Sequence, residues 1–453
     1  MRILYEDNHI IVVVKPENMP SQADDSGDTD LLTAVKAYIK EKYAKPGEVY
    51  CGLVHRLDRP VGGVMVFART SKAASRLMPQ FAEKNKSGAK KRYAALVMGV
   101  PPKRGRLEDF ILRDHDSHSS RVVPGGTENA KPASLDFVRV KAGKHASLLD
   151  IDLHTGRHHQ IRVQLANAGY PLWGDQRYNV NSFPGQPIGL FAYYLSIEHP
   201  VLRERMTFTA LPEDALWKDH TNELKLMSAG LEPAYTDERV LIINKPAGVT
   251  VAEADGGEDN LETRLRGVFG EVYPVHRLDA QTSGLVMFAR DREAKAELDE
   301  AIRRREIEKT YLLIVRGAPP EKAGRLELYA VKDAARGLVS VCGEGVRGAV
   351  PMVTDYRVLK TEGGVSLVEA TLVTGRTHQL RVSFAHIGCP ILGDDRYGSR
   401  EFNRDPEFRP LHRKNALCLC AVKIRFPEKM PGCLEKLAGK CIETDAPFER
   451  ALR

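Results

Sequence analysis

Tyr5-Glu6-Asp7-Asn8-His9-Ile10-Ile11-Val12-Val13-Val14-Lys15-Pro16 is answered 230 residues later by Tyr235-Thr236-Asp237-Glu238-Arg239-Val240-Leu241-Ile242-Ile243-Asn244-Lys245-Pro246. Both stretches run from a charged turn through five apolar-rich residues to Lys-Pro. The echo continues in order: His55-Arg56-Leu57-Asp58 returns as His276-Arg277-Leu278-Asp279, and Thr155-Gly156-Arg157 as Thr374-Gly375-Arg376. Gly174-Asp175 and Tyr178 return as Gly393-Asp394 and Tyr397. A repeat this long with a slowly drifting offset is a duplicated domain, not a solenoid of short units. The junction falls in the polar stretch around Pro212, Gly230 and Pro233, which gives domains of residues 1–228 and 229–453, with Ala215 to Met227 closing the first copy as a short helix.

The 453 residues suit two domains, and 42% hydrophobic with 28% charged residues excludes disordered, collagen-like and mucin-like classes. No apolar run approaches the ~18 residues of a membrane span. The N-terminus shows no secretory pattern, so a cytoplasmic location is expected. Seven cysteines form no disulfide framework. Cys418, Cys420, Cys433 and Cys441 gather near His412 but lack paired Cys-x-x-Cys spacing, so no metal is expected. The net charge of +7 permits a polyanionic partner without demanding one.

Within each copy, Val64 to Ala68 and Leu285 to Ala289 read as buried strands. Ser71 and Asp291 offer N-caps to helices carrying Ala74, Leu77, Phe81 and Ala294, Leu298, Ile302. Tyr93 to Val97 and Tyr311 to Val315 return to strand. Leu149, Ile151 and Leu153 alternate with Asp150 and Asp152 as a half-buried strand. It runs into Thr-Gly-Arg and a helix ended by Gly169, as its twin is ended by Gly388.

Three polar clusters survive the duplication. His-Arg-Leu-Asp occupies a loop before a buried strand; it reads either as a reactive site or as a structural turn in which the arginine pairs with the aspartate. Lys91-Arg92-Tyr93 and Lys309-Thr310-Tyr311 open a strand, and each tyrosine is either packing or a base-stacking surface. Arg157, His159, Gln160 and Arg162, with Arg376, His378, Gln379 and Arg381, begin a helix and read either as a phosphate-facing set or as a solvated helix end.

Together these clusters make the chain similar to the RluA class of pseudouridine synthases. In that class His-Arg-Leu-Asp followed by x-x-Thr-Ser-Gly precedes Lys-x-Tyr and then Thr-Gly-Arg-x-His-Gln-(Ile/Leu)-Arg. The resemblance covers almost the whole chain, once per half. It implies two tandem α+β domains, each a mixed, largely antiparallel sheet with flanking helices. It implies isomerisation of uridine to pseudouridine in structured RNA, ribosomal or transfer, without cofactor or metal. By motif matching, Asp58 and Asp279 act as nucleophiles, and Arg56 and Arg277 fill the space left by a flipped nucleotide. Tyr93 and Tyr311 stack on the target base, Arg162 and Arg381 pair with the aspartates, and Arg157 and Arg376 meet phosphate. Copy one departs from the class at Val61-Gly62, where copy two has Thr282-Ser283, and Gln164 and Ser383 replace a common histidine.

Other readings are one active half with the first copy reduced to an RNA clamp, a non-catalytic RNA-binding protein, and a two-carboxylate glycoside hydrolase with Asp175 or Asp394 as the second acid. Two retained aspartates argue against a pure binder, and the Gly-Asp turns look structural. A monomer is expected, since two domains are already in tandem, and no separate RNA-binding domain is expected ahead of Met1.

Overall fold

A computed structural model describes residues 1–82, 88–114, 116–252, 259–333, 337–409, 411 and 416–448. The chain separates into two compact units, Met1–Ser228 and Ala229–Arg453. Each contains an eleven-stranded sheet with one shared strand order.

In the first unit the sheet is built around Ile10–Lys15, Gly62–Ala68, Leu190–Glu198, Lys90–Met98 and Ala146–Leu153, which are neighbours in that order. It continues through Lys131–Lys141, Arg104–Asp114 and Ser119–Val123. Pairing is antiparallel except where Leu190–Glu198 meets Gly62–Ala68. The second unit repeats this with Ser283–Ala289 parallel to Leu419–Arg425.

Unbroken apolar strands arise because both faces of the sheet are covered. Successive side chains of Ile10–Lys15 alternate faces. Ile11 and Val13 pack with Met65 and Phe67 under Leu31, Val35 and Ile39 of the helix Leu31–Lys42. Ile10 and Val12 pack on the other face with Val64, Val66, Ala73 and Leu77, the last two from the helix Ser71–Phe81. That second layer is completed by Trp217 and Leu224 from the closing segment, a 3-10 turn Ala215–His220 running into the helix Thr221–Ser228.

Two local expectations need correction. The helix Ser71–Phe81 is capped by Thr70, whose side chain accepts from Ala73 N, one residue before the predicted Ser71; Asp291 caps its twin as read. In Ala146–Leu153 the expected wet face is found only at Asp152, which is exposed, whereas Ser147 to Ile151, Asp150 included, are buried. The Asp150 carboxylate is paid for by the Tyr193 hydroxyl at 2.9 Å and by an ion pair with Arg92, so a polar residue in the pattern did not mark a wet face.

Gly63 and Gly284 show why each aspartate motif ends in glycine. Their φ angles are +136° and +110°, and a Cβ at either would lie 2.3 Å from the carbonyl oxygen of Ala192 or Ala421 on the parallel neighbour. The parallel junction therefore requires glycine five residues after the aspartate. One position earlier, Gly62 pairs with Phe191, and a Cβ there would come within 3.0 Å of that ring. Ser283 pairs instead with Cys420. The departure of copy one from Thr-Ser-Gly is thus a packing exchange, a large ring accommodated by a lost side chain. The turn itself is unchanged, with Val61 N donating to Asp58 O and Thr282 N to Asp279 O, both at 3.0 Å.

Among the described residues no helix is long and apolar enough to cross a membrane, and no cluster of three or more His, Cys, Asp or Glu side chains is positioned to hold a metal ion. The late cysteines are free thiols, and His412 lies outside the described residues.

Candidate active site

The aspartate loop is pinned from beneath. Lys15 is fully buried, and its ammonium donates to the carbonyls of Pro16, Met19 and Arg59 at 2.9, 2.6 and 2.9 Å. Lys245 does the same for Pro246, Val249 and Ala280 at 3.0, 2.7 and 2.9 Å. Three acceptors match three ammonium protons, and the last acceptor is the residue following the aspartate in both cases. Burial pulls the two lysines down to about 7 and about 8, against the opposing pull of Asp58 and Asp279. The histidine of His-Arg-Leu-Asp is a second peg. His55 Nε2 accepts from Val66 N at 3.1 Å, and His276 Nε2 accepts from Met287 N at 3.2 Å. Burial drives both rings down to about 3, so they stay neutral.

The aspartates themselves face an arginine from the helix after Thr-Gly-Arg. Arg162 Nη1 lies 3.4 Å from Asp58 Oδ2, and Arg381 Nη1 lies 3.0 Å from Asp279 Oδ2. Each arginine is anchored behind by a bidentate pair. Arg162 Nε and Nη2 donate to Asp175 at 2.9 and 2.8 Å, and Arg381 donates to Asp394 at 2.8 and 2.9 Å. Asp175 also accepts from the backbone of Arg177 and Tyr178, which seats it on its own turn. Asp175 and Asp394 were visible as repeats, but their partnership with an arginine thirteen residues earlier was not. Their oxygens are committed, which removes them as the second acid of a glycoside hydrolase. The alternative pairing of Arg56 with Asp58 is also replaced: Arg56 is exposed at the cleft, while Arg162 holds the carboxylate.

His159 and His378 sit above the aspartates, with Nε2 at 3.8 and 3.7 Å from a carboxylate oxygen. Both occupy the left-handed region at φ 54°, so the helix begins with its side chain turned inward. Nδ1 meets the hydroxyl of Tyr178 at 2.8 Å or Tyr397 at 2.7 Å. Those hydroxyls also accept from Ser120 N and Val339 N, which ties each histidine through its tyrosine to a neighbouring strand. Burial and Arg162 drive His159 down to about 2.

The expected phosphate-facing set is divided by this arrangement. Gln160 and Gln379 are buried and hold the turn, accepting from Thr155 and Arg157 N, or Thr374 and Arg376 N. Arg162 and Arg381 are buried between two carboxylates. Of the set's arginines, Arg157 and Arg376 remain toward solvent, donating to the carbonyls of Pro132 and Pro351. A helix start attracts anions through its exposed N–H groups, but here side chains of the motif have turned inward to build the site.

Tyr93 and Tyr311 are 7% and 6% exposed, and each lies close enough to its aspartate for that charge to raise its pKa after burial has done so. Both therefore remain phenols. In the first unit Asp58, Arg56, Tyr93, Arg157 and Arg162 all line one cleft of about 1930 Å³. Arg277 is exposed beside Asp279, as Arg56 is beside Asp58.

The family model for RNA pseudouridylate synthase matches residues 9–167 and again 239–386. The ribosomal large subunit pseudouridine synthase C of Yersinia pestis is 33% identical over 225 residues, 48% of this chain and 66% of that protein. The protein of the same name from Escherichia coli K12 is 33% identical over 225 residues, covering 48% and 67%. The chain thus spans about two thirds of the length of these curated relatives. Among solved structures, human RNA pseudouridylate synthase domain containing 1 is 27% identical, covering 49% of this chain and 86% of that one, with a TM-score of 0.39.

Proposed function

The chain belongs to the RNA pseudouridylate synthase family, and from that premise we propose that it is a double-headed enzyme, with residues 1–228 and 229–453 each isomerising uridine in structured ribosomal RNA. The named substrate of its curated relatives supports the choice of RNA.

The observation that carries this reading is the duplicated chain of contacts Asp175–Arg162–Asp58 and Asp394–Arg381–Asp279. A nucleophilic carboxylate in a shielded pocket needs a cation beside it to stay ionised, and that cation needs its own partner to stay in place. In this reading the carboxylate of Asp58 or Asp279 bonds to C1′ of the flipped nucleotide as the N1–C1′ bond breaks. The freed uracil turns, C5 bonds to C1′ as the carboxylate–C1′ bond breaks and the aspartate is released, and C5 loses a proton while N1 gains one. The product is an isomer, so the step balances with no co-reactant. Tyr93 and Tyr311 stack on the uracil, Arg56 and Arg277 fill the gap it leaves, and Arg157 and Arg376 take phosphate. Unstacking the target costs a few kcal/mol, which these contacts offset.

Purified protein and the Asp58→Asn, Asp279→Asn double variant, incubated with unmodified ribosomal RNA, test this. The double variant is expected to make no pseudouridine while binding RNA nearly as the parent does, because the carboxylates do chemistry and do not anchor phosphate. Pseudouridine formation at the parental level by the double variant would end the reading.

A further inference from the structure

The two sites differ at one ring. Thr155-Gly156-Arg157-His158-His159 carries histidine where the second copy, Thr374-Gly375-Arg376-Thr377-His378, carries threonine. His158 lines the first cleft and stacks on His159 with ring centroids 3.8 Å apart and planes 24° from parallel. Its Nδ1 meets Ser120 Oγ at 3.0 Å. The position matching Ser120 is Val339, as both donate their backbone N–H to the equivalent tyrosine hydroxyls. Ring and supporting hydroxyl are therefore both peculiar to the first site.

Resting on the double-headed reading above, we propose that His158 is a specificity-determining residue of the first site, a stacking surface for the nucleobase next to the target uridine. His159 lies 3.8 Å from Asp58, and His158, stacked on His159, lines the same cleft as Asp58 and Tyr93. One of its faces is covered by His159 and Nδ1 is engaged by Ser120, so the cleft is offered the other face and the Nε2 edge. Burial and the guanidinium groups of Arg113, Arg162, Arg56 and Arg177 pull its pKa down to about 4. The ring is therefore an uncharged platform among cations: the arginines suit phosphate, the imidazole a base. The first unit also carries most of the excess charge, with 32 Lys and Arg against 26 Asp and Glu, compared with 35 against 34 in the second.

The test is single-turnover pseudouridine formation on ribosomal RNA, read at the uridine lost in Asp58→Asn and at one lost in Asp279→Asn. His158→Thr, which installs the residue of the second copy, is expected to lower kcat/KM at the first uridine about tenfold or more, through KM rather than kcat. His158→Phe, which keeps a ring, is expected to restore most of it, and the second uridine should not respond to either. Equal loss in His158→Thr and His158→Phe would overturn the stacking role, as would no loss in either. If no uridine depends on Asp58, the double-headed reading itself has failed, which is a separate result read before the His158 variants are compared.

Discussion

At the level of single residues, the proposed nucleophile was legible and its support was not. Asp58 and Asp279 stand out because His-Arg-Leu-Asp is retained in both copies and matches the motif of the family. Asp175 was also retained, yet nothing in its spacing announces that it grips Arg162, because that contact is made by the return of the chain after the helix. Asp175→Asn should leave RNA affinity nearly unchanged and slow the first site roughly 10²-fold through misplacement of Arg162, measured as kcat against KM. An unchanged kcat would show that Asp58 alone positions the arginine. A pH effect follows as well. Burial raises the Asp58 carboxyl above the usual carboxylate range, against the pull of Arg162. In the proposed reaction Asp58 works ionised, so activity at the first site should be lost as pH falls through a value above the ordinary ~4 of an aspartate. The acid limb is measured on the Asp279→Asn protein; a limb at or below that ordinary value would contradict the assigned burial.

At the level of elements, the paired strands and the helix after Thr-Gly-Arg could be read from alternation and apolar spacing. What escaped was the reason for particular small residues. Gly63 and Gly284 belong to the parallel contact with a strand about 130 residues later, a partner that no local pattern names. Gly63→Ala should cost about 2–4 kcal/mol of stability from strain and overpacking, measured by denaturant unfolding. The exchange at Gly62 is testable in the same way. Gly62→Ser should destabilise, and adding Phe191→Cys, the second copy's pair, should recover part of the loss with a coupling of about 0.5–3 kcal/mol. Strictly additive effects would mean that Phe191 does not explain why copy one lost Thr-Ser. The expected phosphate-facing set is divided for a related reason: Gln160, Arg162, Gln379 and Arg381 are buried behind histidines at φ 54°, and φ is not visible in a motif.

At the level of the whole molecule, one chain carries the same contacts twice, on two surfaces of different charge. Phosphate contacts release counterions, so affinity for RNA should fall steeply as salt rises, and Arg157→Ala should reduce the slope of log K against log salt by about one. An affinity flat in salt would remove the electrostatic part of the account. The claim on which the rest depends is that both halves catalyse. Its most direct measurement is position-by-position mapping of pseudouridine in ribosomal RNA from cells carrying the parent, Asp58→Asn or Asp279→Asn chain. The account predicts that each variant loses at least one uridine the other retains. An Asp58→Asn map identical to the parent's would contradict it, leaving the first unit as a clamp.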